Sequence, residues 1–271
     1  MEHPIYKRNS REVKKLPDKA RTEAWIENIF SWLFSIEESY ADYNFFLKKE
    51  AELQSELTAI LNNILTDPEN IKAKVKTFFD AVIAIHSQLE ADLETLFRFD
   101  PATKSRDEVL VAYPGFFAIA IYRLAHQLWK NNVPVLPRLI SEYVHSKTGI
   151  DIHPGAEIGA RFFIDHGTGI VIGETSVIGN DVKIYQGVTL GALTVSKEKA
   201  ESKRHPTIQN NVIIYANATV LGGDTIIGEN SVIGGNVWIT HSIPKQSLVY
   251  HKSEIIIKNK LPFPEPLNFV I

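Results

Sequence analysis

Residues 150–190 read IDIHPGAEIGARFFIDHGTGIVIGETSVIGNDVKIYQGVTL, and their aliphatic side chains recur at every sixth position. Ile152, Ile158, Ile164 and Ile170 form one register, and Ile172, Ile178, Ile184 and Leu190 form a second. A helix repeats every 3.6 residues and a half-buried strand every two, so neither produces a period of six. A short flat strand followed by a tight turn does. With the aliphatic residue of each hexad inward and glycine or asparagine in the turn, three hexads close a triangular coil of about 18 residues, a hexapeptide parallel β-helix.

The pattern continues downstream. Ile208, Ile214 and Val220 keep the register, and Leu221, Ile227, Ile233 and Ile239 restart it one residue later. Residues 149–250 therefore predict about five coils, enough for neighbouring repeats to bury one another's faces. Two interruptions stand out. Ile164 to Ile172 is a step of eight, so the segment Asp165 to Gly169 holds two extra residues. Residues 191–205, GALTVSKEKAESKRH, are polar and without hexads, which predicts a loop thrown out of the coil. Insertions in a solenoid mark the face that carries function.

Upstream of Gly149 the chain contains a single glycine, Gly115, of its 15. There the apolar residues follow helical spacing: Trp25, Ile29, Trp32, Leu33 and Ile36, then Leu53, Leu57, Ile60, Leu61 and Ile64, then Val75, Phe78, Phe79, Val82 and Ile85. Asp100-Pro101 closes one helix and Tyr113-Pro114 opens the next, because a residue before proline is pushed out of the α region. The expected organisation is an α+β chain. An all-helical domain spans 1–148, a β-helix spans 149–250 with a protruding loop at 191–205, and a tail spans 251–271.

Composition narrows the function. Lys+Arg 29 against Asp+Glu 32 leaves a formal charge of -3 and no basic field for nucleic acid or an anionic membrane. With Cys 0 there is no disulfide framework, thiolate metal site or cysteine nucleophile. The start, MEHPIYKRNSREVKKL, lacks an apolar stretch, and no run of about 18 apolar residues occurs, so a soluble cytoplasmic protein is expected. No glycine pattern for a dinucleotide or P-loop site is present.

The register breaks hold the candidate chemistry. Asp151 lies 15 residues before His166, somewhat less than one coil, so the bulge can bring the two together. A carboxylate against one imidazole nitrogen fixes the tautomer and raises the basicity of the other. The alternative is that each is an exposed turn residue. Arg204-His205 suits an anionic group such as a carboxylate, or is a solvated loop charge. No metal is expected, because the histidines of this half lack convergent spacing and Lys203 and Arg204 would oppose a cation.

The stretch DIHPGAEIGARFFIDHGTGIVIGETSVIGNDVKIYQGVTLG, followed by RHPTI and further hexads, resembles serine O-acetyltransferase over about residues 100–240. The helical first half, with FDPA and FFAIAIYRLAHQLW, is similar to that family's N-terminal domain. The resemblance implies a left-handed β-helix and acetyl transfer from acetyl-CoA, the co-substrate, to the hydroxyl of L-serine. It implies His166 as general base with Asp151 as its partner, Asp165 and Asp100 at the serine amino group, and Arg204 and His205 at its carboxylate. Acetyl-CoA would lie between neighbouring subunits near Gly191, Ala192, Ala216 and Gly234. A homotrimer is implied, or a hexamer made as a dimer of trimers. The chain departs from the family in reading Gly191-Ala192-Leu193 where Gly-Gly-Thr is usual, and in ending its hexads on VYHKSEIIIK. Nearby rivals are acyl transfer to a sugar or xenobiotic hydroxyl, and a non-catalytic binding scaffold.

Members of this family commonly end in isoleucine, and their tail enters the active site of O-acetylserine sulfhydrylase. This chain ends KLPFPEPLNFVI at Ile271, which fits such a partner or a tail folded back on the coils.

Overall fold

The computed structural model describes residues 3–9, 15–193 and 202–252. The described residues form seven α-helices followed by fourteen short strands. The helices are α1 (Pro4–Asn9), α2 (Lys19–Phe34), α3 (Tyr43–Asn62), α4 (Pro68–Phe99), α5 (Arg106–Ala112), α6 (Pro114–Lys130) and α7 (Leu136–Thr148). Helix α4 shows why. Asp67 caps it by accepting from Glu69 N–H at 3.1 Å, Pro68 opens it, and Asp100 ends it before Pro101. Its stripe of Ile71, Val75, Phe78, Val82, Ile85, Leu89, Leu93 and Leu96 is buried throughout. Gly149, at φ 71, caps α7 in the left-handed region and releases the chain into the first strand.

The strands wind into a left-handed parallel β-helix with three faces. Sheet A stacks β1 (Asp151–Ile152), β4 (Val171–Ile172), β7 (Thr189–Gly191), β10 (Thr219–Leu221) and β13 (Trp238–Ile239). Sheet B stacks β2 (Glu157–Ile158), β5 (Val177–Ile178), β8 (Thr207–Ile208) and β11 (Ile226–Ile227). Sheet C stacks β3 (Phe163–Asp165), β6 (Lys183–Tyr185), β9 (Ile213–Ile214), β12 (Val232–Ile233) and β14 (Leu248–Val249). The hexad residues Ile152, Ile164, Ile172, Ile184, Leu190 and Ile214 point inward and are buried. Asparagines at φ near 60, among them Asn211, Asn217, Asn230 and Asn236, take corners where most side chains would be strained.

Register locates both insertions. Asp151 pairs with Val171, twenty residues on, whereas Val171 pairs with Thr189, only eighteen on. The two extra residues are the bulge after Asp165. Val177 pairs with Thr207, thirty residues on. The twelve extra residues fall between Gly191 and Thr207, where 194–201 lie outside the described residues.

The first coil has an open edge, and α6 covers it. Tyr122 Oη donates to Ala156 O at 2.5 Å, and His126 Nδ1 lies 2.8 Å from Pro154 O. Arg123 donates to Gly159 O at 2.8 Å and to Ile158 O at 3.3 Å. Edge carbonyls that would otherwise recruit another strand are thereby satisfied. Arg123, 4% exposed, also grips the fully buried Asp92 of α4 through Nε–Oδ2 at 2.7 Å and Nη2–Oδ1 at 3.0 Å. Removing either partner alone would strand the other's buried charge at about 3–5 kcal/mol. No single helix among the described residues is long and apolar enough to cross a membrane.

Candidate functional site

Strand β3 ends at Asp165, and the chain then turns from sheet C to sheet A through His166, at φ 56, and Gly167, at φ +89. A Cβ at Gly167 would lie 2.5 Å from Ile150 Cδ1, so only glycine lets the bulge settle against the start of β1. Gly169 N–H donates to Gly149 O at 2.8 Å and closes it. His166 stays outside, its side chain 70% exposed, with Nδ1 at 3.8 Å from Asp165 Oδ1.

Asp165 sits in register with Tyr185 on the next coil, and Tyr185 stacks on Tyr215 with ring centroids 5.0 Å apart. From the helical domain, Asp100 at the end of α4 comes to the same place. Its Oδ2 accepts from Tyr113 Oη at 2.7 Å and its Oδ1 from Ala102 N–H at 2.8 Å. Burial raises the Tyr185 phenol above its ordinary pKa, and Tyr215, Asp165 and Asp100 raise it further. Two carboxylates and an exposed imidazole thus share the corner between sheets C and A.

The corner between sheets A and B is basic. Arg204 and His205 lead into β8, and Arg204 is ion-paired with Glu174. Thr175 organises the segment. Its Oγ1 accepts the backbone N–H of Arg204 at 2.9 Å and of His205 at 3.0 Å, and its N–H donates to His205 Nδ1 at 3.1 Å. With Nδ1 accepting, the neutral ring carries its proton on Nε2. The spacing puts His205 on a protruding loop, but the residue is 8% exposed and held against the coil. A Cβ on Gly173 would fall 2.0 Å from His205 Cδ2, so the ring fills the space a side chain would take.

Burial, reinforced by Arg204, lowers the His205 pKa to about 4. Burial also lowers the nearby His153, which meets Trp129 edge to face at 5.1 Å, and lowers His126. The unfolded chain takes up protons near pH 6.5 that the folded chain refuses at His205 until about pH 4. The stability linked to His205 is therefore complete above about pH 6.5 and is lost as pH falls toward 4. Melting temperature is expected to drop between pH 7 and pH 4.5, with a smaller drop in His205→Gln. Equal drops in both proteins would contradict this.

Among the described residues no hydrogen bond joins Asp151 to His166. It lies on β1, paired in register with Val171, where its charge acts on His153. The remaining candidates divide between the two corners. Gly191 ends β7 and Ala192 follows it at the A–B corner, where Gly191 O accepts from Gly222 N–H at 3.1 Å. Ala216 and Gly234 lie at the C–A corner, where Ala216 O accepts from Asn236 N–H at 3.0 Å and Gly234 N–H donates to Val249 O at 2.7 Å. Ile271 lies outside the described residues.

Sequence reasoning missed Tyr185, Tyr113, Glu174 and Thr175. Counting one coil forward from Asp165 finds Tyr185. Nothing local marks Thr175, because its role depends on where the long insertion returns. Among the described residues no group of three or more His, Asp or Glu side chains is arranged to hold a metal.

No protein-family model matches the chain. It is 49% identical over 179 residues to a plasmid-encoded serine acetyltransferase of Synechococcus elongatus, covering 64% of this chain and 56% of that protein. It is 44% identical over 181 residues to the serine acetyltransferase of Bacillus licheniformis, covering 66% of this chain and 82% of that one. The chain spans a little over half the length of the first curated relatives it matches. Among solved structures, it superposes on serine acetyltransferase isoform 3 of Entamoeba histolytica in complex with cysteine with a TM-score of 0.78. That superposition has 32% sequence identity and covers 94% of this chain and 92% of that one. Serine acetyltransferase of Neisseria gonorrhoeae in complex with serine superposes with a TM-score of 0.60 at 27% identity, over 86% of this chain and 95% of that one.

Proposed function

The chain belongs to the serine acetyltransferase family, and from that premise we propose that it transfers the acetyl group of acetyl-CoA to the hydroxyl of L-serine, giving O-acetyl-L-serine and CoA. One observation supports this most. The C–A corner gathers two carboxylates and an exposed imidazole, and the A–B corner presents Arg204 with a neutral histidine donor. A zwitterionic amino acid needs an acidic end for its ammonium and a basic end for its carboxylate.

In this reading Asp100 and Asp165 hold the ammonium. Arg204 supplies charge to the carboxylate, and His205 donates from Nε2 without adding a second charge. His166 removes the proton of the serine hydroxyl as the oxygen attacks the thioester carbonyl. The C–S bond then breaks, and the imidazolium returns its proton to the departing CoA sulfur. Asp151, as the partner of the imidazole, would hold its tautomer. The pantetheine arm would run past Gly191, Ala192, Ala216 and Gly234.

The acidic and basic groups occupy different corners of one prism, with sheet A between them. A homotrimer, in which the C–A corner of one protomer faces the A–B corner of the next, joins them into three equivalent sites. The test is release of free thiol from acetyl-CoA with serine, homoserine, a galactoside or no acceptor. Release that depends on serine is expected. Release that requires the galactoside, or none with any acceptor, would overturn the reading.

A further inference from the structure

Asp92 and Arg123 contact neither corner, yet the fold runs two rigid arms from them to the acidic end. Asp92 lies on the uninterrupted helix α4, eight residues before its cap Asp100. Its Oδ1 also accepts the backbone N–H of Phe162 at 2.9 Å, three residues before Asp165 on β3. Eight helical residues reach about 12 Å. Three extended residues reach about 10 Å. From one shared anchor the two arms are therefore of similar length, and both carboxylates act electrostatically on the phenol of Tyr185. A second pin lies near the tips, where Lys183 Nζ sits 3.5 Å from the ring centroid of Phe99. Lys183 pairs in register with Phe163, so this pin crosses from the last helical residue to the strand pair that carries Asp165.

The charges add directional anchoring to the buried contact. An apolar pair of similar volume would fill the same space and remove both buried charges, but would leave Phe162 N–H, Ile158 O and Gly159 O without these partners. Only an acceptor facing Phe162 N–H, joined to a fork facing Ile158 O and Gly159 O, fixes helix and coil along more than one direction.

We infer that the buried Asp92–Arg123 pair, anchored on the backbone of residues 158–162, is a positioning device that sets the separation of Asp100 from Asp165 and hence the fit of the substrate's ammonium group. The inference rests on the proposed acetyl transfer to serine. It predicts that loosening the anchor weakens serine alone, since no part of it approaches the groove assigned to acetyl-CoA.

The experiment compares wild type, the apolar pair Asp92→Leu/Arg123→Met, Asp100→Asn, and the triple variant. Each is checked for folding by thermal melting before kinetics. The apolar pair is expected to raise the KM for serine about tenfold, in line with the cost of small misplacements, and to leave the KM for acetyl-CoA within about twofold. On the Asp100→Asn background the same pair should add little further loss, because the device acts through Asp100. A purely structural role would instead move both KM values together, or add its full effect on that background, and either result overturns the inference. Should the apolar pair not fold, Arg123→Lys carries the test, because it keeps a cation beside Asp92 and loses the fork to Ile158 O and Gly159 O, with a rise in serine KM expected and an unchanged value contradicting it. A wild type that turns over no serine removes the acetyltransferase reading and this inference with it. A wild type active on serine, with variants unchanged in serine KM, removes the inference alone.

Discussion

Replacing His166 by asparagine is expected to lower kcat by about a thousandfold, within the range a positioned general base supplies, with little change in melting temperature. The side chain is 70% exposed and makes no core contact, so its removal costs no packing. Asparagine is chosen over alanine because residue 166 sits at φ 56, where asparagine is at ease and alanine is strained. The neighbouring Asp165, 3.8 Å away, remains to hold the ammonium, so the KM for serine should move far less than kcat. Calorimetric melting together with steady-state kinetics checks the result. Activity close to wild type would remove His166 from the chemistry.

Replacing Arg204 by alanine should act the other way, raising the KM for serine about thirtyfold with a smaller change in kcat. A charge-assisted contact to a carboxylate is worth about 2 kcal/mol, and that is the interaction lost. The KM for acetyl-CoA should stay near wild type. Gly173→Ala provides an independent route to the same outcome with Arg204 in place, because the added methyl group would occupy the position of the His205 ring. An unchanged serine KM in both variants would make this segment a surface feature.

The sixfold ladder was legible because each coil uses the same inward aliphatic position, so Ile152 and Leu190 belong to one rule although they lie on different coils. The bulge at 165–169 was legible as a step of eight where the rule demands six. Legibility failed where geometry is set by elements distant in sequence. His205 reads as a loop residue, and its burial follows from the missing side chain at Gly173 and from Thr175, some thirty residues earlier. Tyr185 reads as an ordinary outward strand residue, and becomes a neighbour of Asp100 only because α4 ends beside sheet C. The separation of acidic and basic ends onto different corners could be counted from strand register, but spacing alone does not say which corner a thirty-residue coil returns to.

The proposed acetyl transfer to serine uses a site made from the C–A corner of one protomer and the A–B corner of another. Co-expressing His166→Asn chains with Arg204→Ala chains, under separate affinity tags, tests it most directly. If the halves come from different protomers, every trimer that contains both chains has one intact pair among its three interfaces. Doubly tagged protein, assayed at serine well below the KM of the Arg204→Ala variant, should then recover serine-dependent CoA release far above either variant alone. If both halves of each site came from one chain, every site would keep one defect, and doubly tagged protein no more active than the parent variants would contradict a site shared between protomers.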